Sequence, residues 1–173
     1  MIQDFSCRQR QGGTYAIVGD SGSGKSTLAR AILGNVQVLK GAIIIGDVDV
    51  RTVAPSELYR NVLYVPRSTF LLEGAVLENI DFFEAETLAA ESALRAALPK
   101  DLLGAQVGED RGKNMFGGEM TRLSIARAFG SNASVLIFDE STSGLDPNTA
   151  AKIERLIKNI TVKTVLVITH NWN

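Results

Sequence analysis

Short apolar runs of strand length recur along the chain. They lie at 15–18, 42–45, 62–65, 135–138 and 164–169. Several of them, such as I-I-I, V-L-I-F and T-V-L-V-I-T, place apolar and β-branched residues side by side without alternating polar positions. Because strands that are covered on both faces lose the alternation of half-exposed strands, the pattern predicts buried strands of a parallel sheet.

Segments with helical features separate the apolar runs. They are predicted at 25–33, 86–98, 119–129 and 148–160. The last segment follows Asp146 and Pro147, which suit the N-cap and the first helical position. The alternation of strands and helices predicts an α/β fold whose mostly parallel sheet is connected by helical crossovers.

The stretch between 68 and 118 interrupts this alternation, since it contains no convincing strand. We interpret it as a helical lobe inserted into the α/β body. No linker sets the lobe apart as a separate domain, and a chain of 173 residues fits one domain. The prediction is therefore a single domain over 1–173 with a helical lobe at about 68–118.

The charge balance and the cysteine content indicate which partners and which cellular compartment to expect. Lys and Arg number 18 and Asp and Glu number 19, the net charge is −1, and no block of like charge departs from this balance. A binder of nucleic acid or of anionic membrane surfaces is therefore not expected. The single cysteine, Cys7, cannot form an internal disulfide, which indicates a reducing compartment. With no membrane-length apolar run and no signal-peptide pattern, the expected location is cytoplasmic.

The strongest chemical signal is a glycine-rich turn between the first predicted strand and the first predicted helix. It matches G-x-x-x-x-G-K-[ST] and consists of Gly19, Asp20, Ser21, Gly22, Ser23, Gly24, Lys25, Ser26 and Thr27. Glycines let backbone N–H groups approach phosphate oxygens, and the helix N-terminus adds partial positive charge. Lys25 is expected to contact the β- and γ-phosphates, and Ser26 to offer its hydroxyl to Mg²⁺.

Two acids, Asp139 and Glu140, end the apolar run at 135–138. In a parallel sheet the carboxyl ends of the strands face the ligand crevice, which places this pair beside the glycine-rich loop. Asp139 is expected to hold Mg²⁺ with Ser26, and Glu140 to orient or deprotonate an attacking water. The alternative interpretation is an acidic helix cap without chemistry, which accounts less well for the loop upstream.

Further motifs accompany the loop and the acidic pair. L-E-G-A-V-L-E-N-I lies at 72–80, V-G-E at 107–109, N-M-F-G-G-E at 114–119, S-G-L-D at 143–146 and T-H at 169–170. In this order, and over nearly the whole chain, the motifs resemble the ATP-binding domain of ABC transporters in its exporter-like branch. The family's Walker A motif corresponds to 19–27, and its Walker B motif to 135–140.

The resemblance also implies roles for residues that their own pattern does not define. The family's signature motif LSGGQ, which acts on the ATP of the facing subunit, falls on Phe116, Gly117, Gly118 and Glu119. The D-loop falls on Ser143, Gly144, Leu145 and Asp146. His170 takes the place of the switch histidine that contacts the γ-phosphate, and Arg67 takes the place of the Q-loop glutamine.

The implied fold is that of a P-loop NTPase, with a helical lobe between Walker A and Walker B. The implied function is ATP hydrolysis with Mg²⁺, coupled to transport through membrane-spanning domains on partner chains. The implied assembly is a head-to-tail homodimer or heterodimer that sandwiches two ATP molecules. Such a module would be held at the cytoplasmic face of the membrane by its partners.

Three features depart from the family pattern. Phe116 replaces the signature serine and cannot donate a hydrogen bond to phosphate, while Glu119 replaces glutamine and adds negative charge. Arg67, as a permanent cation, cannot ligate Mg²⁺. Both ends are also short relative to the family pattern. These departures leave three hypotheses: one half of an asymmetric heterodimer, a weakly active or inactive homodimer, or an impaired module that binds ATP for regulation or assembly.

Overall fold

The computed structural model describes residues 2, 5–67, 71–81, 105–107, 118–170 and 172. The strands are β1 (Thr14–Val18), β2 (Ile44–Ile45), β3 (Val48–Asp49), β4 (Val62–Val65), β5 (Gly74–Ala75), β6 (Gln106–Val107), β7 (Val135–Asp139) and β8 (Thr164–Thr169). The helices are α1 (Lys25–Ile32), α2 (Pro55–Asn61), α3 (Val76–Asp81), α4 (Gly118–Gly130) and α5 (Pro147–Lys158), with a 3₁₀ turn at Val50–Thr52.

The described residues fall into two compact units. The first unit is drawn from Met1–Tyr64, Ala133–Glu140 and Ile160–Asn173, and the second from Val65–Asn132 and Ser141–Asn159. The chain therefore crosses between the units several times. The central sheet belongs to the first unit and the longest helix, α4, to the second.

The central sheet has the strand order β1-β8-β7-β4. β8 runs parallel to both β1 and β7, with Val18 opposite Thr169 and Asp139 opposite Ile168. Because these parallel strands end at the same edge, the residues that follow β1, β7 and β8 meet there. The predicted α/β class, with a mainly parallel sheet flanked by helices, is confirmed.

The core of the first unit forms where α1 and α2 pack on the sheet. β7 and β8 bury consecutive residues, as their apolar sequences predict. The buried members of this cluster are Ala29, Leu33, Val50, Leu58, Val62, Ile137, Leu166 and Ile168. This packing holds the start of α1 and the ends of the strands at fixed positions.

The second unit is organised around α4, whose apolar side packs on α3. Its core contains Val76, Leu123 and Ala126, which are fully buried. A buried polar contact ties the same helix to α3, because Arg127 donates from Nε to the Asn79 carbonyl over 2.6 Å and from Nη2 to Asn79 Oδ1 over 2.5 Å. Asn79 is 1% exposed, so this contact replaces hydration that the asparagine has lost.

Most predicted elements are confirmed to within two residues. The strands at 62–65 and 164–169 match as predicted, and α4 and α5 cover the helices expected at 119–129 and 148–160. Asp146 caps α5, since its Oδ1 accepts from the Thr149 N–H over 3.0 Å. The helix predicted at 86–98 lies outside the described residues.

Two strand predictions are wrong. The run at 42–45 is not a buried parallel strand, because only Ile44–Ile45 is extended, it pairs antiparallel with Val48–Asp49, and Ile44 is 55% exposed. Gly46, at φ 62°, allows the tight turn that folds this run into a hairpin. The interval 68–118 also contains strands, since β5 and β6 form a two-residue antiparallel pair. Pairs this short leave no periodic signal in the sequence.

Candidate nucleotide-binding site

The glycine-rich loop joins β1 to α1 in a conformation that depends on its glycines. Gly22 and Gly24 have φ values of 81° and 98°, in the left-handed region that glycine adopts without steric cost. Gly24 is the N-cap of α1, and no side chain caps this end in the described part of the chain. The first amides of α1 are therefore left to an acceptor from outside the helix, and anions suit such a position.

Lys25 is buried at the start of α1, at 8% exposure. Its Nζ donates to the carbonyl oxygens of Gly19 and Asp20, over 2.6 and 2.8 Å. The ammonium group is thus held inside the curve of the loop by backbone carbonyls. Phosphate oxygens are stronger acceptors than neutral carbonyls, so this position also suits a lysine that contacts phosphate.

Asp139, the last residue of β7, uses both of its carboxylate oxygens. Oδ1 accepts from Ser26 Oγ over 3.2 Å, and Oδ2 accepts from the Tyr64 hydroxyl over 2.7 Å. The carboxylate is 7% exposed, so these hydrogen bonds largely replace water. Burial, and then the hydrogen bond to Asp139, raise the pKa of Tyr64 to about 12. Tyr64 is therefore a neutral donor at physiological pH.

The oxygen atoms of Ser26 and Asp139 suit Mg²⁺, which prefers oxygen ligands and is usually bound by one or two carboxylates together with substrate phosphates. Within the described residues no group of three or more His, Cys, Asp and Glu side chains could hold a metal ion.

Glu140 follows β7 in a strained backbone conformation. Its φ is 50°, the only positive φ of a non-glycine residue among those described. Its N–H donates to the Ile168 carbonyl over 2.9 Å, which anchors it to β8. A left-handed residue that is not glycine costs about 1–3 kcal/mol and is found most often at functional sites.

His170 follows β8 and contacts Glu140. The distance between His170 Nε2 and Glu140 Oε1 is 2.9 Å, with the two side chains 50% and 22% exposed. The ends of the two neighbouring strands thus bring together an acid and an imidazole that lie far apart in sequence. Both remain accessible to solvent at the edge of the sheet where the glycine-rich loop begins.

The other predicted residues belong to the second unit. Gly118 and Glu119 begin α4, whereas Phe116 and Gly117 lie outside the described residues. Leu145 Cδ2 lies 3.2 Å from the position that a Cβ on Gly118 would take, so glycine permits close packing there. Arg67 is exposed and follows β4 by two residues.

The segment at 143–146 connects to α5. Ser143, Gly144 and Asp146 are exposed and Leu145 is partly buried. Asp146 Oδ2 lies 3.8 Å from Arg122 Nη2, and hydrogen bonds from the Thr149 side chain and backbone lower the pKa of Asp146. The aspartate therefore serves as a helix cap in this chain.

Sequence reasoning missed two residues of the site. Tyr64 lies within an apolar run, and its contact with Asp139 depends on β4 being the neighbour of β7 in the sheet, which the local sequence does not indicate. Ile2 went unremarked because nothing in its sequence context points to the loop. Its Cγ1 lies 2.8 Å from the position that a Cβ on Gly24 would take, so Ile2 packs against the loop, where the φ of 98° at Gly24 favours glycine.

Comparisons with known proteins give a consistent family. A family model described as ABC transporter matches residues 2–143. The chain is 36% identical to the ATP-dependent lipid A-core flippase 2 of Colwellia psychrerythraea, over 98% of this chain and 31% of the relative. It is 33% identical to the Lactococcin-G-processing and transport ATP-binding protein LagD of Lactococcus lactis, over 99% of this chain and 26% of the relative.

A solved structure agrees with the sequence relatives. The fold matches a bacterial Atm1-family ABC exporter with ATP bound, with a TM-score of 0.78 and 31% identity, over 93% of this chain and 30% of that one. The chain therefore spans about a third or less of the length of the proteins it matches. In the described part of the chain, no helix has the length and apolar character needed to cross a bilayer.

Proposed function

The chain belongs to the ABC transporter family as an ATP-binding module related to those of exporters, and on this basis we propose that it hydrolyses ATP with Mg²⁺ to drive transport. The observation that carries the proposal is the 3.2 Å contact between Ser26 Oγ and Asp139 Oδ1 at the start of α1. It places a hydroxyl and a carboxylate together beside a loop that suits phosphate.

Nucleotide phosphates are held by the amides of the loop at 19–24 and by Lys25. The lysine exchanges its two carbonyl acceptors, on Gly19 and Asp20, for phosphate oxygens. Ser26 and Asp139 hold the Mg²⁺, which supplies neutralising charge to the phosphates. The backbone glycines contribute position rather than charge, because they let the chain approach the phosphates closely.

Hydrolysis is an attack of water on the γ-phosphorus, with cleavage of its bond to the oxygen that bridges the β- and γ-phosphates. Glu140 accepts the proton of the attacking water, and ADP and inorganic phosphate are released. His170 holds the Glu140 carboxylate through Nε2 and would also contact the γ-phosphate. The strained backbone at Glu140 supports such a positioned base.

The assembly we propose is a head-to-tail dimer in which α4 of each subunit faces the ATP of the other. The signature residues Phe116, Gly117, Gly118 and Glu119 and the D-loop residues Ser143, Gly144, Leu145 and Asp146 then belong to the dimer interface. Membrane-spanning domains convert closure into transport at the cytoplasmic face of the membrane. The support is the relationship to transporters whose names describe transport or flipping.

A second candidate function is ATP binding without efficient turnover. It is favoured by Glu119, an acid in the first turn of α4. Negative charge at a helix N-terminus is favourable for the helix but competes with an anionic ligand for the same amides and dipole. Such a module would bind ATP as a signal for assembly or regulation.

The experiment that separates the two candidates is phosphate release from Mg-ATP over a range of protein concentrations. Turnover that rises faster than linearly with concentration, and that Glu140→Gln removes, supports an ATPase that works as a homodimer. Binding of ATP without turnover supports the second candidate or a requirement for a different subunit. Absence of ATP binding by the folded chain contradicts both.

A further inference from the structure

Tyr64 makes a contact with Asp139 to which the proposed function assigns no role. The tyrosine lies in β4, the neighbour of β7 in the sheet, and its hydroxyl donates to Asp139 Oδ2 over 2.7 Å. Ser26 occupies the other oxygen, Oδ1, over 3.2 Å. Each hydroxyl thus donates to one oxygen of the Asp139 carboxylate, and the tyrosine makes the shorter hydrogen bond.

The contact is specific to the hydroxyl group rather than to the ring. The ring packs at the margin of the first unit's core, a role that phenylalanine would fill equally well. Only the hydroxyl reaches the carboxylate, which is almost fully buried and has few alternative donors from water. Hydrogen bonds that accept at a buried carboxylate fix its orientation as well as its charge.

We propose that Tyr64 is a positioning residue for the divalent cation, because its hydroxyl holds Asp139 Oδ2 and leaves Oδ1 directed at the metal position beside Ser26. This inference rests on the proposed function. Ser26 would hold the cation together with Asp139, so it would give up its hydrogen bond to Oδ1 when the metal is bound. Tyr64 keeps its hydrogen bond throughout, so the carboxylate does not rotate when Ser26 leaves it.

The consequence concerns the affinity for the metal ion rather than for the nucleotide. Residues that orient a metal ligand without touching the metal typically change metal affinity by about 10- to 100-fold when they are removed. Tyr64 has no contact with the loop that holds the phosphates in the interactions described. Removal of its hydroxyl should therefore lower the affinity for the metal ion and leave nucleotide binding in the absence of metal unchanged.

The test uses the full chain with a non-hydrolysable ATP analogue. The affinity of the chain for the analogue is measured in EDTA. In a separate measurement without EDTA, the affinity of the complex between chain and analogue for Mn²⁺ is measured by electron paramagnetic resonance. Mn²⁺ is a suitable probe because it takes the same oxygen ligands as Mg²⁺. Tyr64→Phe should lower the Mn²⁺ affinity about tenfold and change the analogue affinity in EDTA by less than about twofold.

Tyr59→Phe is the matched control, since Tyr59 is exposed and its hydroxyl donates to Asn35 Oδ1 over 2.9 Å in the same unit. It should change neither affinity. Asp139→Asn should lower the Mn²⁺ affinity, and Tyr64→Phe added to Asp139→Asn should lower it less than it does alone, because the two residues act as one pair.

Three results would overturn the inference. In the first, Tyr64→Phe leaves the Mn²⁺ affinity within about twofold of the original while Asp139→Asn lowers it. Tyr64 would then be a packing residue only. An equal loss of metal and metal-free nucleotide affinity would indicate a general structural role. Failure of the unsubstituted chain to bind the analogue in EDTA would contradict the proposed function itself, and the inference with it.

Discussion

At the scale of single residues, Asp146 has a local role that must be separated from the role proposed for it in a dimer. Its Oδ1 accepts from the Thr149 N–H and caps α5, so the position is explained without a partner subunit. Its other oxygen, Oδ2, lies 3.8 Å from Arg122 Nη2 and the residue is exposed, so the proposed dimer contact would be additional to both interactions. A family role inferred for such a residue needs a test that separates it from the helix cap.

Acidification tests the helix cap by itself. The pKa of Asp146 is lowered in the folded chain, so its contribution to stability is present above the ordinary aspartate pKa of about 3.9 and is lost as pH falls through the lower, folded value. Asp146→Asn keeps a good N-cap but does not titrate. We expect the fall in melting temperature between about pH 5 and pH 3 to be smaller in Asp146→Asn than in the original chain.

The fall in melting temperature on acidification is compared between the two proteins, so the contributions of the other carboxylates cancel. The difference should be small, because the aspartate is exposed and its interactions are screened by solvent. Equal falls in the two proteins would show that protonation of Asp146 does not weaken the cap. Asp146→Ala, which removes the cap, should lower the melting temperature at neutral pH, where Asp146→Asn should not.

At the scale of elements, a polar contact joins α4 to the start of α3. Arg127 donates twice to Asn79, and Asn79 in turn donates to the carbonyls of Leu72 and Ala75 over 2.8 and 3.2 Å. Burial lowers the pKa of Arg127, but the guanidinium stays charged because the pKa of arginine is so high. The contact therefore fixes the segment before α3 against the longest helix.

Replacement of Arg127 should destabilise the second unit. Lysine keeps the charge but cannot donate from two positions of a planar fork, so Arg127→Lys removes at least one of the two charged hydrogen bonds to buried Asn79. The expected loss is about 1.5–3 kcal/mol in the free energy of unfolding, measured by urea denaturation. Arg155→Lys, on the exposed side of α5, is the matched control and should change stability by less than about 0.5 kcal/mol. Equal stability of the two variants would contradict the prediction.

The elements also show what the sequence could predict. β7 and β8 are continuous apolar runs, and both strands are covered on both faces as that pattern predicts. Their carboxyl ends therefore locate Asp139 and His170. The run at 42–45 has the same composition, but the turn at Gly46 redirects it into an exposed hairpin. The contact between Tyr64 and Asp139 depends on which strands are neighbours, and strand order is a tertiary property that local pattern does not contain.

At the scale of the whole molecule, the asymmetric-pair hypothesis predicts complementation between two defective copies. One copy carries Lys25→Ala together with Phe116→Ser and Glu119→Gln, so its own loop is impaired and its signature matches the family pattern. The other copy is the original chain, with an intact loop and a degenerate signature. In a mixture, one composite site has both intact parts.

Turnover by the mixture should exceed the sum of the two separate preparations by about tenfold or more, because positioned groups at a developing phosphate charge are worth that much or more. Phosphate release measured at a fixed total concentration provides the comparison. Glu140→Gln in the copy with the intact loop should remove the gain, whereas the same change in the other copy should not. Turnover no greater than the sum would exclude the signature as the cause of low activity.

The position of β8 in the sheet has a consequence for the order of events during synthesis. Thr14 of β1 pairs with Val165 of β8, and β8 separates β1 from β7 in the sheet. A ribosome therefore releases the glycine-rich loop long before the strand that supports it has been made. Closing so long a stretch of chain is entropically slow. The emerging polypeptide carries an apolar β1 without its described neighbour while residues 19–163 are made, a period in which chaperones would shield it and ATP would have no assembled site to stabilise.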